Sequence, residues 1–283
     1  MMRQAAILVV YNRFLGDCEA GRTLSEALPE NGRVLVWDNS EGDYGNARFC
    51  AERNWTCLGG EGNRGLSRAY QACVDRLREE GFDGLVSLFD DDTAIRRDYF
   101  DAMAQAAQAH PEWDLFFPLL TAGGRLVSPQ IIPPSQHARY FSSAEECLGY
   151  DGPDLYAFNS GMAVRSWVFD WVSYDPALFL DGVDYAFLRA CYGAGFTSAP
   201  VNLCMNHGFS GAQRPAYPAA AKRFENYARD FSVVLREAPG GYRWLVGKRA
   251  LHLALRYRKL SFFKSYFAHR PEKRAPAHKE EQT

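Results

Sequence analysis

The sequence predicts an α/β fold: a mixed, mainly parallel sheet flanked by helices, with a helical extension at its C-terminus. Three observations predict it. Two short β-rich apolar runs, Ala5 to Val10 and Val34 to Trp37, flank a helical stretch around Thr23 to Ala27, the pattern of a βαβ unit. A longer helical pattern, Leu66 to Glu80, feeds another apolar run, Leu85 to Phe89. Finally, Tyr242 to Phe267 is a basic helical pattern interleaved with aromatics.

Composition bounds the function classes. At 283 residues the chain can bury a sizeable core in one large or two smaller domains, and its 47% apolar and 23% charged residues exclude a disordered chain. No apolar run approaches the roughly eighteen residues that span a bilayer, and the N-terminus lacks the pattern of a secretory signal. The expectation is a cytoplasmic protein. Seven scattered cysteines with no CxxC pair argue against a disulfide framework and a zinc site. The net charge of −2 hides a division, since residues 241–283 carry about +8 and the preceding part about −10. An acidic body without a recognition motif gives nucleic-acid binding little support.

In chain order, the first run passes into Tyr11, Asn12 and Arg13, and the second ends at Asp38-Asn39-Ser40. In a parallel sheet these loops share the rim at the carboxyl ends of the strands. Asp38 is either a ligand at that rim or an Asx-turn former. Trp55 to Leu58 is a weak strand, followed by the glycine-rich Gly59-Gly60-Glu61-Gly62-Asn63-Arg64-Gly65, which opens a helix at the same rim. Its backbone could approach an anion, although it matches neither the Walker nor the GxGxxG pattern. Gly81 is placed to end that helix.

The run Leu85 to Phe89 then meets three consecutive acids, Asp90, Asp91 and Asp92. If the strand continues, Asp90 and Asp92 share one face and Asp91 points away. Two carboxylates on one face can share a hard divalent cation such as Mg2+ or Mn2+; the alternative is an acidic cap on the next helix. Downstream, Asp98 to Ala109 reads as a helix, Leu115 to Leu120 as a strand turning at Gly123-Gly124 toward Arg125 to Val127, Pro129 to Arg139 as a long loop, and Ala157 to Val164 as one strand with a central glycine. A second apolar run ends at Asp181 and Asp184, where Asp181 is either functional or the N-cap of a helix carrying Asp184. Phe196 to Leu203 is a strand, and His207 follows it in a Gly/Ser-rich loop, as a metal ligand or a solvated side chain.

Taken in this order, the pieces resemble the family 2 glycosyltransferases, whose nucleotide-sugar-binding fold is called GT-A. Val9-Val10-Tyr11-Asn12-Arg13 resembles the family's opening strand and loop, Val36-Trp37-Asp38-Asn39-Ser40 its second strand with the base-binding aspartate, Asn63-Arg64-Gly65 its NxG, and Phe89-Asp90-Asp91-Asp92 its DXD motif. Asn159-Ser160-Gly161 resembles its acceptor-side segment. Phe179-Leu180-Asp181-Gly182-Val183-Asp184 is similar to the FIDxVD of the rhamnosyltransferase and galactofuranosyltransferase branches, which also place a histidine where His207 stands. The family commonly has Asn where this chain has Gln71, and an acid where it has Ala186.

The resemblance implies an inverting, metal-dependent transferase. It would move a sugar from a UDP- or dTDP-linked donor to a hydroxyl of a glycan or lipid-linked acceptor, in surface polysaccharide synthesis. It implies Asp184 as base with Asp181 second; Tyr11, Asn12, Asp38, Asn63, Gly65, Asp90 and Asp91 around the donor; and Asp90, Asp92 and His207 on Mn2+ or Mg2+. The expected organisation is a GT-A domain over 1–211, a basic, aromatic helical region over 212–269 and a disordered tail over 270–283. The helical region either packs on the acidic body or lies on an anionic membrane surface at the inner face of the cell membrane. The competing reading is a non-catalytic nucleotide-binding or scaffolding protein of the same fold. A haloacid dehalogenase-type phosphohydrolase would want its DxD in the first strand, and a sugar nucleotidyltransferase would want a basic glycine-rich loop near the N-terminus.

Overall fold

The computed structural model describes residues 2–133, 138–207 and 215–271. The strands are β1 (Gln4–Val10), β2 (Arg33–Asp38), β3 (Thr56–Gly59), β4 (Leu85–Asp90), β5 (Leu115–Ala122), β6 (Arg125–Ser128), β7 (Gln130–Ile131), β8 (Arg139–Tyr140), β9 (Leu155–Tyr156), β10 (Ala163–Arg165) and β11 (Ser198–Asn206). The helices are α1 (Glu19–Ala27), α2 (Asn46–Ala51), α3 (Leu66–Glu79), α4 (Tyr99–Ala109), α5 (Ala144–Leu148), α6 (Val183–Gly193), α7 (Tyr217–Val234), α8 (Pro239–Tyr257) and α9 (Ser261–Ala268). The chain divides into two compact units, one of residues 1–179 and 183–213, the other of residues 180–182 and 214–283.

The larger unit is built on a sheet in the order β11-β5-β10-β4-β1-β2-β3, with β6 paired to β5. Only β10 and β6 run antiparallel to their neighbours. All seven residues of β1 are buried, as both faces of a central parallel strand must be when crossover helices cover them. Successive crossovers through α1, α2 and α3 bring the carboxyl ends of β1 to β4 to one rim. A small antiparallel sheet, β8-β7-β9, takes β7 and the start of β8 from the stretch Pro129 to Arg139 expected to form a loop.

One further reading is corrected. Ala157 to Val164 is not one strand: β9 ends at Tyr156, the chain turns at Gly161 with φ +81°, and only Ala163–Arg165 joins the sheet. The glycine marks that turn rather than the middle of a strand. Arg165, at the end of β10, is buried because its guanidinium donates to the carbonyls of Ala107 (2.7 Å), His110 (3.3 Å) and Trp113 (2.7 Å), satisfying the C-terminal end of α4. All seven cysteines are free thiols.

In the smaller unit α7, α8 and α9 pack around Phe224, Tyr227, Tyr242, Val246 and Phe262, all buried. The fully buried Asp230 of α7 accepts from the backbone N–H of Leu180 (2.8 Å) and of Asp181 (2.9 Å), which ties the short 180–182 segment to this unit. No helix among the described residues is long and apolar enough to cross a membrane. Of the tail expected to be disordered over 270–283, residues 272–283 lie outside the described residues.

A bidentate ion pair ties β2 to the end of α3. Arg33 donates to both Glu80 oxygens at 2.8 and 2.7 Å, Arg76 adds a third bond, and together they pull the Glu80 carboxyl down from about 4.5 to about 2. The stabilisation is present above the ordinary glutamate range and is lost as pH falls toward 2. Glu80→Gln is therefore expected to cost about 1 kcal/mol in urea unfolding at neutral pH, with the gap from the parent protein closing as pH drops below about 4.

Candidate functional site

The rim is organised at β2 by buried hydrogen bonds. Asp38 is 7% exposed; one carboxylate oxygen accepts from the Ser40 N–H at 3.0 Å, and the other from Asn46 Nδ2 at 2.9 Å. The first of these bonds is an Asx-turn, so the local turn role holds for Asp38 whatever else it binds. Ser40 Oγ accepts from the Asn12 N–H at 2.9 Å, and Asn12 Oδ1 from the Glu41 N–H at 2.8 Å, which supports the left-handed backbone of Asn12 at φ +49°. Asn39 Oδ1 accepts from the Arg64 N–H at 2.7 Å and so pins the glycine-rich loop to the same strand end.

Within that loop Asn63 Oδ1 accepts from the Gly65 N–H at 2.9 Å, a local turn again. Gly65 sits at φ +84°, and a Cβ there would lie 2.6 Å from the Phe179 carbonyl oxygen, the group that accepts from the Leu66 N–H at 2.6 Å. The close backbone approach that requires this glycine is to Phe179. Gln71, on α3, accepts from the Tyr174 N–H at 2.9 Å and so fixes the segment that leads toward α6.

The three acids separate at the end of β4. Asp90 is the last strand residue, whereas Asp91 and Asp92 form a turn and α4 begins only at Tyr99. The triplet therefore does not cap α4, and strand alternation does not extend to Asp92. Asp90 accepts from Tyr70 Oη at 2.8 Å and from Ser160 Oγ at 2.5 Å, one hydroxyl on each oxygen. Asp91 faces β1: the Tyr11 N–H donates to it at 3.3 Å and Arg13 Nε stands 3.5 Å away, while burial pushes its carboxyl up to about 6. Asp92 turns to the far strand, where His207 Nδ1 stands 4.0 Å from its carboxylate. Burial raises the Asp92 carboxyl, an effect opposed by His207 and reinforced by Asp90. The backbone makes this pairing, since Thr93 and His207 form an isolated antiparallel bridge and the His207 N–H donates to the Thr121 carbonyl at 2.9 Å.

Asp184 joins through a ring stack. Tyr70 packs on Tyr174 at 5.4 Å between centroids and Tyr174 on Phe187 of α6 at 4.4 Å. The hydroxyls of both tyrosines are held well above their ordinary range, first by burial and then in part by the charges of Asp90 and Asp184. Both carboxylates thus act on one buried tyrosine pair, with Asp184 in the first turn of α6, where the helix macrodipole favours an anion. Asp181 belongs to the smaller unit, its carboxylate held by both terminal nitrogens of Arg223, one at 2.7 Å. The structure thus brings together Asp90, Asp91, Asp92, His207, the Tyr11 backbone and the field of Asp184. Tyr70, Ser160, Asn39 and Asn46 complete the constellation.

Among the described residues no group of three His, Cys, Asp or Glu side chains converges on one point. Asp92 and His207 place a hard oxygen and an imidazole nitrogen 4.0 Å apart, donor types that divalent cations accept.

No family model matches the chain and no curated protein matches it in sequence. Solved structures do match it in fold. S. aureus TarS 1-349 in complex with UDP-GlcNAc is similar with a TM-score of 0.56 at 13% identity, over 95% of this chain and 79% of that one. Glucosyl-3-phosphoglycerate synthase from Mycobacterium tuberculosis, in complex with Mg2+ and UDP, gives 0.53 at 12% identity over 83% and 78%. The mannosyltransferase PcManGT from Pyrobaculum calidifontis, in complex with GDP-Man and Mn2+, gives 0.50 at 14% identity over 95% and 74%. The chain spans 44% of the longer S. aureus TarS structure. The fold is GT-A, the fold of these glycosyltransferases.

Replacing Gly65 by Ala adds a Cβ against backbone at a positive φ, so it is expected to destabilise the protein by about 2 kcal/mol or more in the absence of any nucleotide. Unchanged denaturant midpoints for that variant would return Gly65 to a purely ligand-facing role.

Proposed function

We propose that this GT-A-fold chain is an inverting glycosyltransferase that moves a sugar from a nucleotide-diphosphate donor, UDP- or dTDP-linked, to a hydroxyl of a glycan or lipid-linked acceptor. Surface polysaccharide synthesis is the setting this reading favours. The observation that carries it is the fan of Asp90, Asp91 and Asp92 at the end of β4, with His207 brought to Asp92 and Asp184 acting on the tyrosine that bonds Asp90.

In this reading the β1 and β2 loops, with Tyr11, Asn12 and Asp38, receive the nucleotide base and ribose, and Asn63 and Gly65 shape the loop beside it. Asp92 and His207, with Asp90, would hold Mn2+ or Mg2+. When bound, such an ion supplies positive charge against the departing diphosphate. Asp91, drawn toward Arg13 and the Tyr11 N–H, is placed for the donor rather than for the ion. Tyr70 and Ser160 keep Asp90 oriented and its charge solvated by hydroxyls.

Asp184 takes the proton of the incoming hydroxyl. Asp181 suits that role less, because the Arg223 fork engages both its oxygens. One base serving a single displacement gives inversion at the anomeric carbon. A second reading, a nucleotide-binding protein without catalysis, draws on the absence of a converged three-ligand cluster among the described residues.

Three measurements separate these readings. Thermal melts with UDP, dTDP or GDP, with and without Mn2+, should show stabilisation that is larger with the ion; no shift with any nucleotide would sink both. A panel of nucleotide sugars, GDP-mannose included, should then yield cation-dependent hydrolysis or transfer. Asp92→Ala is expected to abolish that turnover, and full activity in this variant would remove Asp92 from the site. Asp184→Asn should lower kcat by about 10²- to 10⁴-fold while leaving the nucleotide-induced melting shift in place. Turnover that survives in this variant and vanishes in Asp181→Asn would exchange the two roles.

A further inference from the structure

A helix in a soluble bundle needs one apolar stripe to face its neighbours, and α8 has two. Its inner face, with Tyr242, Val246, Ala250 and Ala254, is buried against the smaller unit. Its outer face carries Trp244, Leu251 and Leu255, at spacings of seven and four residues that place them on one line along the helix. These side chains are 44%, 51% and 71% exposed, and the following turn and α9 add Leu260 at 79% and Phe267 at 62%. Core packing explains none of this exposed apolar surface.

The charge around it has one sign. From Ala238 to Pro271 the chain has eight lysines and arginines and no aspartate or glutamate. Lys248 lies within the outer line itself, its ammonium 5.0 Å from the Trp244 ring centre. Long basic side chains with an indole and leucines between them are the makeup of a surface that sinks its apolar groups below a layer of anionic headgroups while its cations stay at headgroup level. A second copy of the chain is the poorer occupant, because a two-fold contact through this face would set cations against cations without an acid to pair them.

We propose that the outer face of α8 is an interfacial docking surface for an anionic lipid bilayer, with Leu260 and Phe267 as further exposed apolar groups of the same unit. The inference does not depend on the transferase reading, since it concerns binding to lipid alone. If both hold, the enzyme meets its acceptor at a membrane.

The test is vesicle flotation of the full chain with phosphatidylcholine alone and with phosphatidylcholine mixed with phosphatidylglycerol. The intact protein is expected to float only with the anionic vesicles. The double variant Leu251→Ser/Leu255→Ser should partition at least about tenfold more weakly with an unchanged melting temperature, as both side chains are exposed. Lys248→Glu/Lys264→Glu should weaken binding similarly and flatten its salt dependence. Failure to bind either vesicle overturns the proposal. So does binding that the leucine variant leaves unchanged and that heparin reproduces, which would assign the face to an acidic macromolecule. Concentration-dependent dimerisation without lipid, lost in the leucine variant, would assign it to a second copy.

Discussion

The arrangement of the larger unit's rim rests on keeping one carboxylate, Asp90, charged at the end of a strand whose preceding five residues are all buried. Bare burial of that charge would be costly unless hydrogen bonds replaced water. The protein supplies two hydroxyls, and each comes from a different part of the fold: Tyr70 from α3 and Ser160 from the turn that precedes β10. Holding Tyr70 where it can donate means burying its ring, and the ring is buried by stacking on Tyr174, which stacks in turn on Phe187 of α6. A single polar requirement thus sets the position of α6 relative to β4, and with it the place of Asp184.

The parts of this scheme legible in the sequence are those written in local pattern. Apolar runs that end in polar loops locate β1, β2 and β4, and their alternation with helical stretches implies a shared rim. The bounds of β10 were missed, the strand expected over Ala157 to Val164 overlapping it only at Ala163 and Val164, because three residues carry no period and because Arg165 looks like a surface residue until the carbonyls at the end of α4 are seen to receive it. Asn46 gave no signal either, being one polar residue at the start of a six-residue helix whose amide happens to meet Asp38. Tyr70 was concealed by its own pattern, since on an amphipathic helix it is indistinguishable from ordinary core. Alternation along β4 misled at Asp92, because the strand stops at Asp90 and the turn beyond it follows the Thr93 bridge to His207.

The resemblance in Phe179 to Asp184 carries two acids three residues apart and ranks Asp184 before Asp181, and the structure shows how different their surroundings are. Gly182, at φ +70°, lets the chain reverse between them, and a Cβ there would come within 3.1 Å of Val234. On one side of it, the Leu180 and Asp181 amides are anchored to the buried Asp230, and the Asp181 carboxylate is locked to Arg223, so its charge is compensated and its oxygens are committed. On the other side, Asp184 stands in the first turn of α6, the helix whose Phe187 stacks on Tyr174. A general base must present an oxygen to the group it deprotonates, and the Asp181 carboxylate is instead engaged by Arg223 within its own unit.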